Sequence, residues 1–112
     1  MTETITYHRV KETRGLPGLV AAVAAYFGMT PDEMLSPRRH ASIAHARKVG
    51  MWAARRLTGA SYPDIATAFR KADHGTAMFA CTSVDQRRAI DKKFKRDTDE
   101  LLAKIGPQPS LQ

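Results

Sequence analysis

The sequence predicts an all-α chain, a compact helical bundle of about six helices with a central helix-turn-helix. Three observations predict it. Apolar residues recur at steps of three and four and never settle into the alternation of a strand. Helix-start signals, Ser, Thr or Asp before a proline, acid or polar turn, recur between those apolar stripes. A short helical stretch is joined by Arg70, Lys71 and Ala72 to a longer one that opens on polar residues, and this is helix-turn-helix spacing.

Each element follows from local chemistry. Residues 1–15 mix Thr, Glu, Arg and Lys without a period and are expected to form a flexible N-terminal segment. Pro17 is suited to open the first helix, because a helix's first N–H groups lack partners anyway. Leu19, Val20, Val23 and Phe27 give its stripe, and Gly28 ends it. Thr30, Pro31 and Glu33 form a capping-box pattern that opens a short helix through Met34 and Leu35. Pro37 biases Ser36 away from helical backbone, so Arg38 and Arg39 fall in a loop or a first turn. From about His40 to Leu57 the chain lacks proline. Ile43, Ala46, Gly50, Ala53 and Leu57 form one stripe there, widened by Val49, Met51, Trp52 and Ala54. This is the central helix, with Gly59 as its stop.

Ser61 caps the next helix, which has Pro63 and Asp64 in its first turn and Ile65, Ala66, Ala68 and Phe69 as its apolar content. Asp73 is a strong N-cap for the longer partner, whose inner stripe is Ala77, Ala80, Cys81 and Val84. A last amphipathic helix runs from about Asp91 to Ile105, with Ile90, Phe94, Leu101, Leu102 and Ile105 as its apolar set. The expected organisation is one domain over residues 16–105, with a flexible tail at residues 106–112.

Charge narrows the function. The net charge is +7. Between Ser36 and Lys71 stand eight cations (Arg38, Arg39, Arg47, Lys48, Arg55, Arg56, Arg70 and Lys71) and one acid, Asp64. That window carries the whole excess, and the ten cations and ten acids outside it cancel. A concentrated basic field fits a polyanionic partner, and solvated helix surfaces are its bland alternative. One cysteine, Cys81, permits no internal disulfide and suits a reducing compartment. No apolar run has signal-peptide or membrane-spanning length, so the expectation is a cytoplasmic, nucleoid-associated protein with no membrane partner.

Enzyme chemistry finds no arrangement. Asp73 and His74 are neighbours, about 100° apart on a helix, so the acid is badly placed to orient that imidazole. His40 and His45 are five apart, a poor helical chelate, and a second cysteine is lacking. A GKS or GKT phosphate loop is absent, so no nucleotide, metal or other cofactor is expected.

Three groups of residues remain as candidates for contact with DNA. Asp73 is a helix cap whose carboxylate has lone pairs to spare for a base amino group. Arg38 and Arg39 are either a solvated loop or an arm reaching phosphates or a narrow minor groove. Arg47, Lys48 and Arg55, spaced seven to eight apart, are expected on one side of the central helix, along a phosphate backbone.

Three segments together, "VAAYFGMTPDEMLSPRR", "ARKVGMWAARRLTGASYPDIATAF" and "DHGTAMFA", resemble the C-terminal DNA-binding domain of the bacterial replication initiator DnaA. That domain is a Trp-repressor-like helix-turn-helix, and the resemblance runs from about Leu19 to Ile105 without gaps. It implies double-stranded DNA as partner. It implies a minor-groove role for Arg39, and phosphate contacts for Arg47, Lys48 and Arg55. Tyr62 and Pro63 fall where the family touches a thymine methyl and the backbone. Asp73, His74 and Thr76 fall on its base-reading positions. Gly75 completes that edge, and Arg38, Ser61, Arg70 and Lys71 are the neighbouring phosphate candidates.

The sequence departs from the family at Ala72, where Arg is usual, and at Gly75, where Thr or Ser is usual. Arg70 follows Phe69 where Gly is usual, and Ala77 replaces the signature's valine. The family's full protein carries an ATPase module, and these 112 residues have none, so a stand-alone recognition domain is expected. Its expected role is to regulate or compete at DnaA-box-like sites. The alternatives are a transcription regulator with an unrelated operator, and a protein-interaction module that meets replication or transcription proteins through Met78 and Phe79.

Overall fold

The computed structural model describes residues 15–106. The flexible segments expected at 1–15 and 106–112 lie outside that range except for Gly15 and Gly106. Within it every regular element is a helix. The described part of α1 spans 15–26. It is followed by α2 (Pro31–Leu35), α3 (Ala41–Thr58), α4 (Tyr62–Ala68), α5 (His74–Ile90) and α6 (Lys92–Ile105). Gly15 is already helical, so Pro17 sits inside the first helix and does not open it.

The boundaries follow from capping chemistry. Thr30 and Glu33 form the reciprocal capping box at α2, and their hydrogen bonds hold the Glu33 carboxyl below the usual range. Ser61 Oγ accepts from the Asp64 N–H at 3.2 Å to start α4. Gly59, at φ 70°, ends α3 in the left-handed conformation that glycine adopts freely. Asp91 both closes α5 and caps α6, accepting from the Phe94 N–H at 3.0 Å.

α3 is the axis of the molecule. It packs on α2, α4, α5 and α6, which is why its apolar surface is wider than one stripe. One core cluster joins Ala46, Met51 and Ala54 of α3 to Val23, Met34, Ile65, Phe69 and Ala77. A second joins Val49, Trp52 and Ala53 to Val84, Phe94 and Leu101. Polar ties close the second cluster. Trp52 Nε1 donates to Asp85 at 2.8 Å. Arg88, lying against the Trp52 ring, donates to Thr98 and Asp99 at 2.6 and 2.9 Å.

Two apolar assignments change. Ile90 is 86% exposed, because it is the last residue of α5 and the chain turns at Asp91 before α6 begins. Leu57 is also exposed, at the open end of the α3 stripe.

The helix-turn-helix depends on one close approach. A Cβ built on Gly50 would lie 3.0 Å from two ring atoms of Phe69 and 3.2 Å from a Val23 methyl. Phe69 is fully buried, and it is the residue on which α4 ends. A side chain at position 50 therefore pushes the turn off α3. Gly50→Ala gains up to about 1 kcal/mol in helix propensity, but overpacking costs about 1–3 kcal/mol. We expect a lower urea midpoint for Gly50→Ala, with partial recovery when Phe69→Leu is added. A raised midpoint in the single variant would contradict the packing argument.

Candidate nucleic-acid interface

The candidate recognition edge starts at Asp73, the N-cap of α5. Its Oδ1 accepts from the Gly75 N–H at 2.9 Å, and its carbonyl from the Thr76 N–H at 3.0 Å. Asp73 and His74 are exposed, and Gly75 and Thr76 are half-buried. The lack of a side chain at Gly75 matters here. An added Cβ would stand 3.3 Å from Asp73 Oδ1, so the carboxylate settles over the helix end because nothing crowds it. One turn on, Met78 and Phe79 are 45% and 66% exposed on the same helix. The Lys48 ammonium lies 5.5 Å from the Phe79 ring centre.

The turn before that edge has its own chemistry. Arg70 N–H bonds to the Thr67 carbonyl at 3.0 Å and Lys71 N–H to that of Ala66 at 2.7 Å. This is the Schellman pattern, whose pivot is usually glycine. Here the pivot is Arg70, at φ 59°, the one left-handed non-glycine among the described residues. That backbone costs a side-chain-bearing residue about 1 kcal/mol or more. The strain places a cation on the helix-turn-helix turn, where Arg70 also meets exposed Asp32 of α2 at 3.4 Å.

The remaining candidates surround this centre. Arg55 lies 4.3 Å over the Tyr62 ring and donates to the Ala60 carbonyl at 2.8 Å, so it frames the start of α4, where Ser61 and exposed Pro63 stand. Lys48 is half-buried. Arg38 and Arg39 are exposed on the basic loop between α2 and α3, which Ser36 steadies by donating to the Glu33 carbonyl at 2.7 Å. Lys71 is half-buried beside Arg70.

Arg47 corrects an expectation. It is buried, at 8% exposure, with its guanidinium turned inward onto backbone carbonyls. Lys48 and Arg55, seven apart, do share a side of α3. Arg47 is one helical step, about 100°, from Lys48. The signal that locates it is its register, four residues after buried Ile43 and four before buried Met51. The Arg70–Asp32 pair carried no such signal, whereas the left-handed backbone at Arg70 was signalled by the glycine usual at that position in the family.

The family "Bacterial dnaA protein helix-turn-helix" matches residues 18–84. The chain belongs to this DnaA helix-turn-helix family. It is 36% identical over 84 residues to the chromosomal replication initiator protein DnaA of Caulobacter vibrioides (strain NA1000 / CB15N), a match covering 75% of this chain and 17% of that protein. A crystal structure of a DNA replication initiation factor superposes with a TM-score of 0.77 at 30% identity, over 92% of this chain and 32% of that one. The chain thus spans about a sixth of the curated DnaA and about a third of the solved structure. The match takes in every candidate named above, from the basic loop to the DnaA-type recognition edge.

The strain at Arg70 is open to measurement. Arg70→Gly removes the left-handed penalty and forfeits only an exposed ion pair, a small contribution. We expect the variant to be more stable by about 1 kcal/mol in urea denaturation. Unchanged or lower stability would show that Arg70 is not strained.

Proposed function

We propose that this chain binds double-stranded DNA at DnaA-box-like sites and acts there as a regulator or competitor in replication or transcription control. The N-terminal edge of α5 enters the major groove, with Asp73, His74 and Thr76 at base edges and Tyr62 and Pro63 beside them. Arg39 enters the adjoining minor groove, where narrow A·T-rich sequence concentrates negative potential. Lys48, Arg55, Arg70, Lys71, Arg38 and Ser61 lie along phosphates.

The observation that carries this reading is the open helix edge at Asp73, in a DnaA-family helix-turn-helix, bordered by exposed cations that have few acidic partners. In helix-turn-helix proteins the second helix presents its first residues to base edges. Asp73 caps through Oδ1, which leaves acceptor capacity for a cytosine amino group. Gly75 gives that edge a shape unlike the Thr or Ser usual in the family, so the preferred site is related to a DnaA box and differs from it at a base near Gly75.

A second reading rests on Met78 and Phe79. Their exposure also suits a protein partner from the replication or transcription machinery. In the DNA reading the same side chains meet thymine methyl groups.

Salt separates the two. With about five phosphates neutralised, log affinity for duplex falls against log salt with a slope on the order of −4 to −5. Lys48→Ala weakens all duplexes alike, whereas Arg39→Ala weakens A·T-rich probes more than G·C-rich ones. Fluorescence titrations at several salt concentrations measure both. A flat salt response supports the protein partner instead. Selection from random duplexes then gives the site, and failure to enrich any motif rules out base reading.

A further inference from the structure

Arg47 holds its charge inside the protein. Its Nη1 donates to the carbonyls of Met34 at 2.9 Å and Ser36 at 2.8 Å, and its Nη2 to that of Arg38 at 3.1 Å. The acceptors are alternate residues, running from the end of α2 into the basic loop. All three are backbone atoms, so the fork grips the path of the loop and not its side chains. α2 is five residues long, with no basic residue in its last turn. So short a helix leaves its final carbonyls without partners, and a cation beside them is favourable. Arg47 supplies that cation from α3. Two residues beyond the first loop carbonyl it holds, Arg38 and Arg39 emerge exposed.

We propose that Arg47 is a positioning residue for DNA recognition: it fixes the basic loop so that Arg38 and Arg39 are presented in one geometry, and it does not itself bind phosphate. This rests on the DNA-binding reading above. Three of the five N–H donors that Arg47 could turn toward a phosphate are already committed to carbonyls. Withdrawing them strands three acceptors, one of them in the buried interior. Arginine is required because its planar fork spans several acceptors, whereas lysine offers a single nitrogen. A fixed loop also means that Arg39 is not ordered anew on each encounter, so its contact retains more of its discriminating power.

The choice of variant separates the two roles. Arg47→Lys keeps the charge and loses the fork. A phosphate ligand tolerates that exchange, with affinity changed alike on all duplexes. A positioning residue does not. The expected result is that Arg47→Lys lowers the preference for A·T-rich over G·C-rich probes by about the same factor as Arg39→Ala, on the order of tenfold. In the double variant the two losses do not add, because both act through Arg39.

A second readout needs no DNA. With the variant shown to be folded by circular dichroism, brief trypsin treatment should cut after Arg38 and Arg39 about tenfold faster than in the parent chain. A third needs no variant. In the parent protein, the guanidinium resonances of Arg47 exchange slowly with water and stay in place when duplex is added, while those of Arg39 move. This holds the test open even if Arg47→Lys fails to fold.

A uniform loss on both probes, unchanged trypsin cleavage, or Arg47 resonances that shift on duplex addition would overturn the proposal. A parent chain that binds no duplex would instead remove the DNA reading itself, and this role with it.

Discussion

The close contact between the α3 backbone at Gly50 and the Phe69 ring is the constraint on which the other features depend. Phe69 ends α4. Wherever its ring seats, the turn follows, and α5 starts five residues later, at His74, at a fixed distance from α3. A glycine in mid-helix is ordinarily unfavourable. Here it allows the helix-turn-helix to lie directly on the central helix, so that the recognition edge is carried by the core and not by a hinge. The strained Arg70 follows from the same geometry. A Schellman turn needs a left-handed pivot at that point, and a cation occupies it in this chain.

From that base α3 serves two sides. Toward α5 it sets Lys48 against Phe79, and toward α4 it sets Arg55 against Tyr62, which brings basic groups to the flanks of the edge formed by Asp73 to Thr76. Toward α2 it sends Arg47 into the loop carbonyls. Consecutive residues of one helix thus act in opposite directions. Arg47 turns in to hold a loop, and half-buried Lys48 turns toward the exposed Phe79 ring. The far side of α3 is closed by Trp52, Asp85 and Arg88, well away from the recognition edge. The stabilising contacts and the proposed recognition face thus fall on different surfaces of the same helix.

The parts legible in the sequence are those set by local chemistry. Thr30 with Glu33, Ser61, Asp73 and Gly59 mark helix ends because capping depends on residues two to four apart, and the stripe Ala77, Ala80, Cys81 and Val84 is buried as its spacing implies. The parts that were not legible depend on distant partners. The spacing to Lys48 and Arg55 placed Arg47 among outward cations; its register between Ile43 and Met51 points inward, but the three carbonyls it meets on the loop before α3 are not named by any local pattern. Ile90 was read as core because it is apolar, yet the helix ends beneath it. The cap at Asp73 was legible from its local pattern, and the helix-turn-helix family from the resemblance. The detailed shape of that edge was not, because the seat of the Asp73 carboxylate depends on the missing side chain at Gly75.

The most direct test of the central claim, that one face made of the basic loop, the start of α4 and the start of α5 meets duplex DNA, is a backbone amide shift map of the intact chain titrated with duplex. The account predicts shifts concentrated at residues 38–40, 61–64 and 70–76, with the outer face of α6 between Lys92 and Lys104 unmoved. Shifts confined to the basic face of α6, with the amides around Asp73 unchanged, would contradict it.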